Sequence, residues 1–227
     1  HLFTCHVVSP FHCAVYHATI AKRVKKSRRK TAARYLPLTA AMDSGITYPM
    51  RYLPINLDVR GRTVVIVGGG AVASRKCLNL RASGASVTVI APEVALVLQE
   101  LATVGEVRHL ARTYVRGDLA GAFLAYAATD QPAVNRAVAD EAHRAGILVE
   151  VCTEPDRGDF TTPAVVARGD LTIAVGTGGA APALAARIRR ELEAGFDAAY
   201  EETVELLRAV REKLLTANKA SAYNKRI

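Results

Sequence analysis

Residues 63–76 read Thr63-Val64-Val65-Ile66-Val67-Gly68-Gly69-Gly70-Ala71-Val72-Ala73-Ser74-Arg75-Lys76. The first five residues are β-branched, and such a run predicts a strand that is buried on both faces. Gly68-x-Gly70-x-x-Ala73 fits the dinucleotide-binding pattern G-x-G-x-x-G/A. In that pattern the first glycine permits the turn, the second lets the backbone approach a pyrophosphate, and the small third residue allows close helix packing. The stretch therefore predicts a phosphate-binding turn at a helix N-terminus.

Strands and helices alternate from this stretch onward. The predicted strands are 63–67, 86–90, 106–110, 122–128 and 147–152, and the helices between them are 71–83, 94–103 and 132–145. This alternation predicts an α/β fold with a doubly wound parallel sheet of the Rossmann type. After residue 155 the pattern changes to a hairpin, 163–167 with 171–176, followed by helices 182–194 and 197–216. Because this small region has a thin core alone, we expect it to pack against a second copy in a homodimer.

The first 49 residues differ from the rest of the chain in charge. They hold eight of the 30 lysines and arginines and one of the 21 acids, which leaves a net charge of +2 for residues 50–227. The body of the protein therefore lacks the basic character of a nucleic-acid-binding protein. We expect a disordered basic leader over 1–49 that precedes a native start at Met50. The spacing of its cysteines and histidines matches no usual zinc site, so no metal is expected; these residues are Cys5, His6, His12, Cys13 and His17.

Cysteine usage and hydropathy indicate the compartment. Cys77 and Cys152 are the only cysteines in 50–227, and no export signal accompanies them, which favours the reducing cytoplasm. No apolar run approaches the ~18 residues that a membrane-spanning helix needs, so no membrane contact is expected. Cys152 is interpreted as a small core residue and not as a nucleophile.

Polar residues follow several of the predicted strands, at the edge where open α/β sheets bind their ligands. The second strand ends in Ala91-Pro92-Glu93, without the acid that usually holds the adenine ribose, and no Arg or Lys is placed nearby for a 2′-phosphate. This favours NAD over NADP, with Glu93 either near the ribose or serving as an acid at a helix N-terminus. Thr129-Asp130 follows the fourth strand, and Asp130 is expected to contact the ligand, to cap helix 132–145, or to do both.

These segments resemble the precorrin-2 dehydrogenase/sirohydrochlorin ferrochelatase family, as found in the N-terminal part of sirohaem synthases. The matching stretches are Arg51–Ile55, Val67–Lys76, Val87–Glu93, Ala127–Asp130 with Val134-Asn135, Asp159–Ala164 and Ala174–Pro182. The resemblance implies NAD-dependent oxidation of precorrin-2 to sirohydrochlorin, and in some members insertion of iron into the product. It also implies an NAD-binding Rossmann domain over 50–160, a dimerisation region over 161–195 and a helical C-terminal region over 196–227.

By its motifs, the resemblance assigns the nucleotide contacts residue by residue. They are Gly68, Gly69, Gly70, Ala71, Val72, Ala91, Pro92, Glu93, Thr129 and Asp130. It also marks a departure after the fifth strand, where the family reads Asn-Val-Val-Asp-x-Pro and this chain reads Glu150-Val151-Cys152-Thr153-Glu154-Pro155. Thr153 stands where the family has its general-base aspartate, and a hydroxyl does not replace a carboxylate base.

Two functions remain open at this stage. In the first, the chain is a dehydrogenase in which Glu150, Glu154 or Asp156 replaces the missing base, or in which hydride transfer to NAD carries the reaction, while iron insertion stays undecided. In the second, the chain is a Rossmann sensor that binds NAD or a tetrapyrrole without turnover.

Overall fold

The computed structural model describes residues 51–216. Its strands are β1 Thr63–Val67, β2 Ser86–Ile90, β3 Arg108–Leu110, β4 Leu124–Ala127, β5 Leu148–Val151, β6 Ala164–Arg168 and β7 Leu171–Val175. Its helices are α1 Ala71–Ala82, α2 Leu96–Thr103, α3 Pro132–Ala145, α4 Pro182–Gly195 and α5 Ala199–Thr216, with a 3₁₀ turn at Pro155–Arg157. The predicted leader and the zinc site considered within it lie outside the described residues.

The first five strands form one parallel sheet in the order β3-β2-β1-β4-β5. The register pairs Val67 with both Ile90 and Ala127, and it pairs Ala127 with Val151. Four strands therefore end level with one another at the same edge of the sheet. The order reverses direction at β1, which is where open sheets of this kind bind their ligands.

Each face of the sheet is covered by its own apolar core, as a buried parallel sheet requires. On one side Ile66 and Leu124 pack with α1 and α2. On the other side Val67 and Val149 pack with α3 and with Leu119 of the β3–β4 connection. The prediction of a doubly wound parallel sheet is confirmed, and the chain adds to it a small antiparallel hairpin and C-terminal helices.

The ends of the helices and strands are set by individual residues at those ends more than by where the apolar residues stop. Helix α3 begins at Pro132, which suits a first helical turn, and ends at Gly146, whose φ of 68° is the left-handed conformation of a helix C-terminus. The predicted fourth and fifth strands are longer than the observed ones, because apolar residues flanking β4 and β5 continue the core after the ladder has ended.

The hairpin β6–β7 and helices α4 and α5 follow the sheet. The side chains of Arg208 and Asp170 form an ion pair that links α5 to the hairpin turn. Several apolar side chains of this region are exposed in the single chain, namely Val165, Leu184, Leu206, Leu207, Val210 and Leu215. Within residues 51–216 there is no helix long and apolar enough to cross a membrane.

Candidate functional site

The loops that follow β1, β2, β4 and β5 meet at the carboxyl edge of the sheet. Backbone hydrogen bonds extend the ladders past the strand ends: Gly68 N donates to Ile90 O at 2.9 Å, and Cys152 N donates to Ala127 O at 3.0 Å. These bonds bring two groups of residues to one edge of the sheet. One is the turn at Gly68–Gly70, which is predicted to bind the nucleotide, and the other is the segment around Thr153, at the position of the family's base.

The first two glycines of the turn are required by the protein itself. Gly68 has a φ of 128°, and a Cβ at this position would lie 2.3 Å from the carbonyl oxygen of Ala128. A Cβ at Gly69 would lie 2.0 Å from the carbonyl oxygen of Glu93, and Ala95 N donates to Gly69 O at 2.8 Å. Both glycines let neighbouring loops pack directly against the turn.

Gly70 is different, because no packing in the chain explains it. A Cβ at this position would meet no atom of the described chain within 4 Å, and the φ of −82° is open to any residue. Gly70 stands at the N-terminus of α1, where no side chain caps the free N–H groups, and Ala71 and Val72 are exposed beside it. An open space in front of unpaired N–H groups fits the pyrophosphate of a dinucleotide.

The turn after β2 has a structural partner that the sequence did not indicate. Ala91 is buried, and its carbonyl oxygen lies 2.9 Å from Nε2 of His109 on β3. Pro92 and Glu93 are exposed. The alternative in which Glu93 serves as an acid at a helix N-terminus is wrong, since α2 begins at Leu96 and its first turn contains no acid.

Asn135 joins the end of β4 to the end of β5. Its side chain is completely buried. Its Oδ1 accepts hydrogen bonds from the backbone N–H and the hydroxyl of Thr129, at 3.1 and 2.7 Å. Its Nδ2 donates to Thr129 O at 2.9 Å and to Thr153 Oγ1 at 3.0 Å. One side-chain amide therefore holds the Thr129 loop, which is predicted to contact the nucleotide, together with Thr153, which stands at the position of the family's base.

Asp130 does not cap the following helix. The residue at the N-cap of α3 is Gln131, whose side chain makes no capping hydrogen bond. The Asp130 side chain is exposed, and its carboxylate makes no hydrogen bond within the described residues. Of the two alternatives, the cap is wrong, and a ligand contact stays a prediction.

Glu150 is engaged in a buried ion pair. Both of its carboxylate oxygens lie 2.7 Å from Nζ of Lys76 on α1, and both side chains are less than a tenth exposed. The hydroxyl and the backbone N–H of Thr162 also donate to this carboxylate, the latter at 3.2 Å. A carboxylate held by four contacts favours a structural role and argues against its replacing the missing base.

Glu154 is also paired. Its Oε1 accepts from Nε of Arg136 at 3.1 Å, and its Oε2 accepts from Nε of Arg157 at 2.9 Å. Asp156, two residues further along the chain, bonds to Arg51. Thr153 itself is exposed, with its hydroxyl taken by Asn135. Each of the three carboxylates considered as a replacement base, Glu150, Glu154 and Asp156, thus has a cationic partner.

Burial keeps the Cys152 thiol and the Tyr126 hydroxyl near this edge neutral. It raises the pKa of the Cys152 thiol to about 11, and the neighbouring Glu150 carboxylate adds to the shift. It likewise raises the pKa of Tyr126 to about 12, and the Tyr126 ring packs edge-on against Phe160. Cys152 is half-buried and belongs to neither of the two apolar cores described above. Its thiol is protonated near neutral pH, which argues against a nucleophile.

The turn after β7 reaches the same edge. A Cβ at Gly179 would lie 3.5 Å from Cγ of Pro155, so this turn packs on the 3₁₀ turn that follows Thr153. The hydroxyl of Thr177 accepts a hydrogen bond from Ala181 N at 3.2 Å, at the start of α4. Residues 176–181 thus border the region around Thr153.

Comparison with known proteins finds matches to both parts of the chain. A family model for NAD(P)-binding matches residues 55–164, and a model for the central part of sirohaem biosynthesis proteins matches residues 168–195. The siroheme synthase of Chromobacterium violaceum is 45% identical over 151 residues, which cover 66% of this chain and 32% of that protein. The siroheme synthase of Methylobacillus flagellatus is 40% identical over 178 residues, which cover 77% of this chain and 38% of that protein.

A solved structure shares the same architecture. SirC, a precorrin-2 dehydrogenase, superposes with a TM-score of 0.64 at 29% identity, and the match covers 78% of this chain and 89% of that one. The chain spans about a third of the length of the two siroheme synthases but most of the length of SirC.

Proposed function

Since the chain belongs to the precorrin-2 dehydrogenase/sirohydrochlorin ferrochelatase family, we propose that it oxidises precorrin-2 to sirohydrochlorin with NAD. The observation that carries this proposal is the open space at Gly70, in a turn whose other two glycines are explained by contacts within the chain. The similarity to SirC along most of both chains supports the choice of substrate.

The residues at the sheet edge fit a dinucleotide. The N–H groups at the start of α1 would hold the pyrophosphate, and the turn at Ala91–Glu93 would lie beside the adenine ribose. Thr129 and Asp130 would face the nicotinamide half from the end of β4. NAD is proposed over NADP because no lysine or arginine belongs to the turn after β2. When bound, NAD supplies the acceptor for a hydride.

The task of the protein's own residues is to orient the substrate and to let a proton leave. Asn135 fixes the Thr129 loop and Thr153 relative to each other. With the Glu150 and Glu154 carboxylates both paired, Thr153 stands at an exposed position that water reaches. We propose that solvent takes the proton. The reaction is then slower by the factor of about 10²–10⁴ that a positioned base contributes.

Iron insertion is proposed to be poor. Metal insertion requires that protons leave the ring nitrogens, and the cofactor offers no alternative route for that step. Thr153 supplies no carboxylate there, and its hydroxyl is already engaged by Asn135. The proposed activity is therefore dehydrogenation, with weak chelatase activity at most.

We also propose a homodimer in the cytoplasm. The exposed apolar side chains on β6, α4 and α5 support a partner surface formed by a second copy. The use of only two cysteines in residues 50–227, Cys77 and Cys152, neither of them in a disulfide, supports the compartment. Sedimentation of the full chain as a monomer at micromolar concentration would contradict the dimer.

The enzyme is distinguished from a sensor by turnover. Purified full-length protein is mixed anaerobically with precorrin-2, with and without NAD, and the absorbance spectrum is followed. A dehydrogenase converts the spectrum to that of sirohydrochlorin only when NAD is present. A sensor changes the spectrum stoichiometrically with protein and then stops.

A further inference from the structure

Two exposed arginines flank Thr153 and share one carboxylate. Arg136 on α3 and Arg157 on the 3₁₀ turn both bond through Nε to Glu154, at 3.1 and 2.9 Å. The side chains of Arg136 and Arg157 are 52% and 48% exposed, whereas that of Glu154 is 29% exposed. The carboxylate therefore lies beneath two guanidinium groups that face solvent beside the site.

The two guanidinium groups have N–H donors that Glu154 does not use. A guanidinium carries five N–H donors, and each of these two directs only its Nε–H at Glu154. The Nη groups of Arg136 and Arg157 have no partner among residues 51–216. The three side chains together carry one net positive charge. Glu154 thus fixes the direction of two planar groups whose remaining donors match the geometry of carboxylates.

A purely structural cluster is the simpler interpretation, but it explains little. Ion pairs at the protein surface add little to stability, and the pair between Glu154 and Arg157 is a local one. What a stabilising role leaves unexplained is the position of the cluster. It stands one residue from Thr153, where a ring that carries eight carboxylates has to bind if the proposed function is correct.

We propose that Arg136 and Arg157 bind carboxylate side chains of the tetrapyrrole, with Glu154 as the residue that positions them. This inference rests on the proposed function and deepens it by assigning a substrate-binding site. Each guanidinium receives one acetate or propionate group through its Nη donors. The two arginines thereby hold the ring in the cleft beside Thr153, and neither has a direct role in the chemistry.

The test uses Arg136→Gln and Arg157→Gln, alone and together, in the full chain. Arg144→Gln is the matched control, because Arg144 is an exposed arginine eight residues further along the same helix, about 12 Å along its axis. The KM for precorrin-2 should rise at least tenfold in the double variant, with kcat and the KM for NAD within twofold of wild type. Arg144→Gln should change none of these values.

Binding without turnover separates this inference from the proposed function. Fluorescence titration with uroporphyrin, which carries eight carboxylates, should show at least tenfold weaker binding to the double variant and unchanged binding to Arg144→Gln. Equal binding of uroporphyrin by wild type and double variant would overturn the inference, even if the enzyme is active. An equal loss in Arg144→Gln would also overturn it, because a general effect of charge would then suffice. Absence of precorrin-2 oxidation by wild type would instead refute the proposed function.

Discussion

Replacing Asn135 by leucine tests whether one amide holds the candidate site together. The side chain is completely buried and makes four hydrogen bonds, three of them to Thr129 and one to Thr153. Leucine has a similar size but leaves the backbone N–H and C=O of Thr129 without these partners. An unsatisfied buried polar group costs about 1–3 kcal/mol, and Thr129 is half-buried, so we expect a loss of about 2–4 kcal/mol.

The loss is measured by urea denaturation of the full chain. A loss of this size is a large part of the 5–15 kcal/mol that is typical of a domain, so it should shift the unfolding midpoint clearly. Asn79→Leu is the matched control, because Asn79 is exposed on α1 and its side chain makes no hydrogen bond within the described residues. Such surface changes usually stay within about 0.5 kcal/mol. Equal midpoints for the two variants would refute the role of Asn135.

Four further outcomes follow from the site. Gly70→Val should weaken NAD binding at least tenfold in a fluorescence titration while the melting temperature stays unchanged, because overpacking costs about 1–3 kcal/mol only where a ligand occupies the space. Wild-type NAD affinity in Gly70→Val would contradict the phosphate-binding turn. Gly68→Ala should instead lower the melting temperature, since its Cβ would meet Ala128 O at 2.3 Å. Thr153→Asp should raise iron insertion, measured as sirohaem formation, and efficient insertion by wild type would show that another group acts as the base. Cys152, with its pKa raised to about 11, should react with iodoacetamide at pH 8 far more slowly than free cysteine does. The reaction is followed by mass spectrometry of the peptide that contains Cys152. Alkylation as fast as that of free cysteine would contradict the burial of the thiol.

The sheet could be predicted from sequence because its determinants are local. The β-branched run before Gly68 and the proline and glycine that bound α3 fix those elements through neighbouring residues alone. The same holds for the turn itself, since the spacing of its glycines is a local feature. The pattern assigns the turn to Gly68 and the approach of a pyrophosphate to Gly70, but it gives no role to Gly69, where a Cβ would meet the carbonyl oxygen of Glu93.

The contacts that link different strands and helices of the site could not be predicted, since they join residues far apart in sequence. Lys76 and Glu150 are separated by 74 residues, and a lysine inside an amphipathic helix is ordinarily interpreted as exposed. From the sequence, only the family resemblance indicates a role for Asn135. An asparagine on the buried side of a predicted helix is nevertheless itself an indication of a polar partner. The candidate bases were chosen by their place along the chain, and the structure adds that their charges are already paired.

The most direct test of the proposed activity is the stoichiometry of products. Full-length protein is incubated anaerobically with excess precorrin-2 and NAD, and NADH and sirohydrochlorin are quantified in the same sample over many turnovers. The proposal predicts one NADH for each sirohydrochlorin formed, faster turnover with NAD than with NADP, and strongly reduced turnover in Gly70→Val at the same NAD concentration. Tight binding of NAD and precorrin-2 without formation of NADH would contradict the proposal and would identify the chain as a sensor.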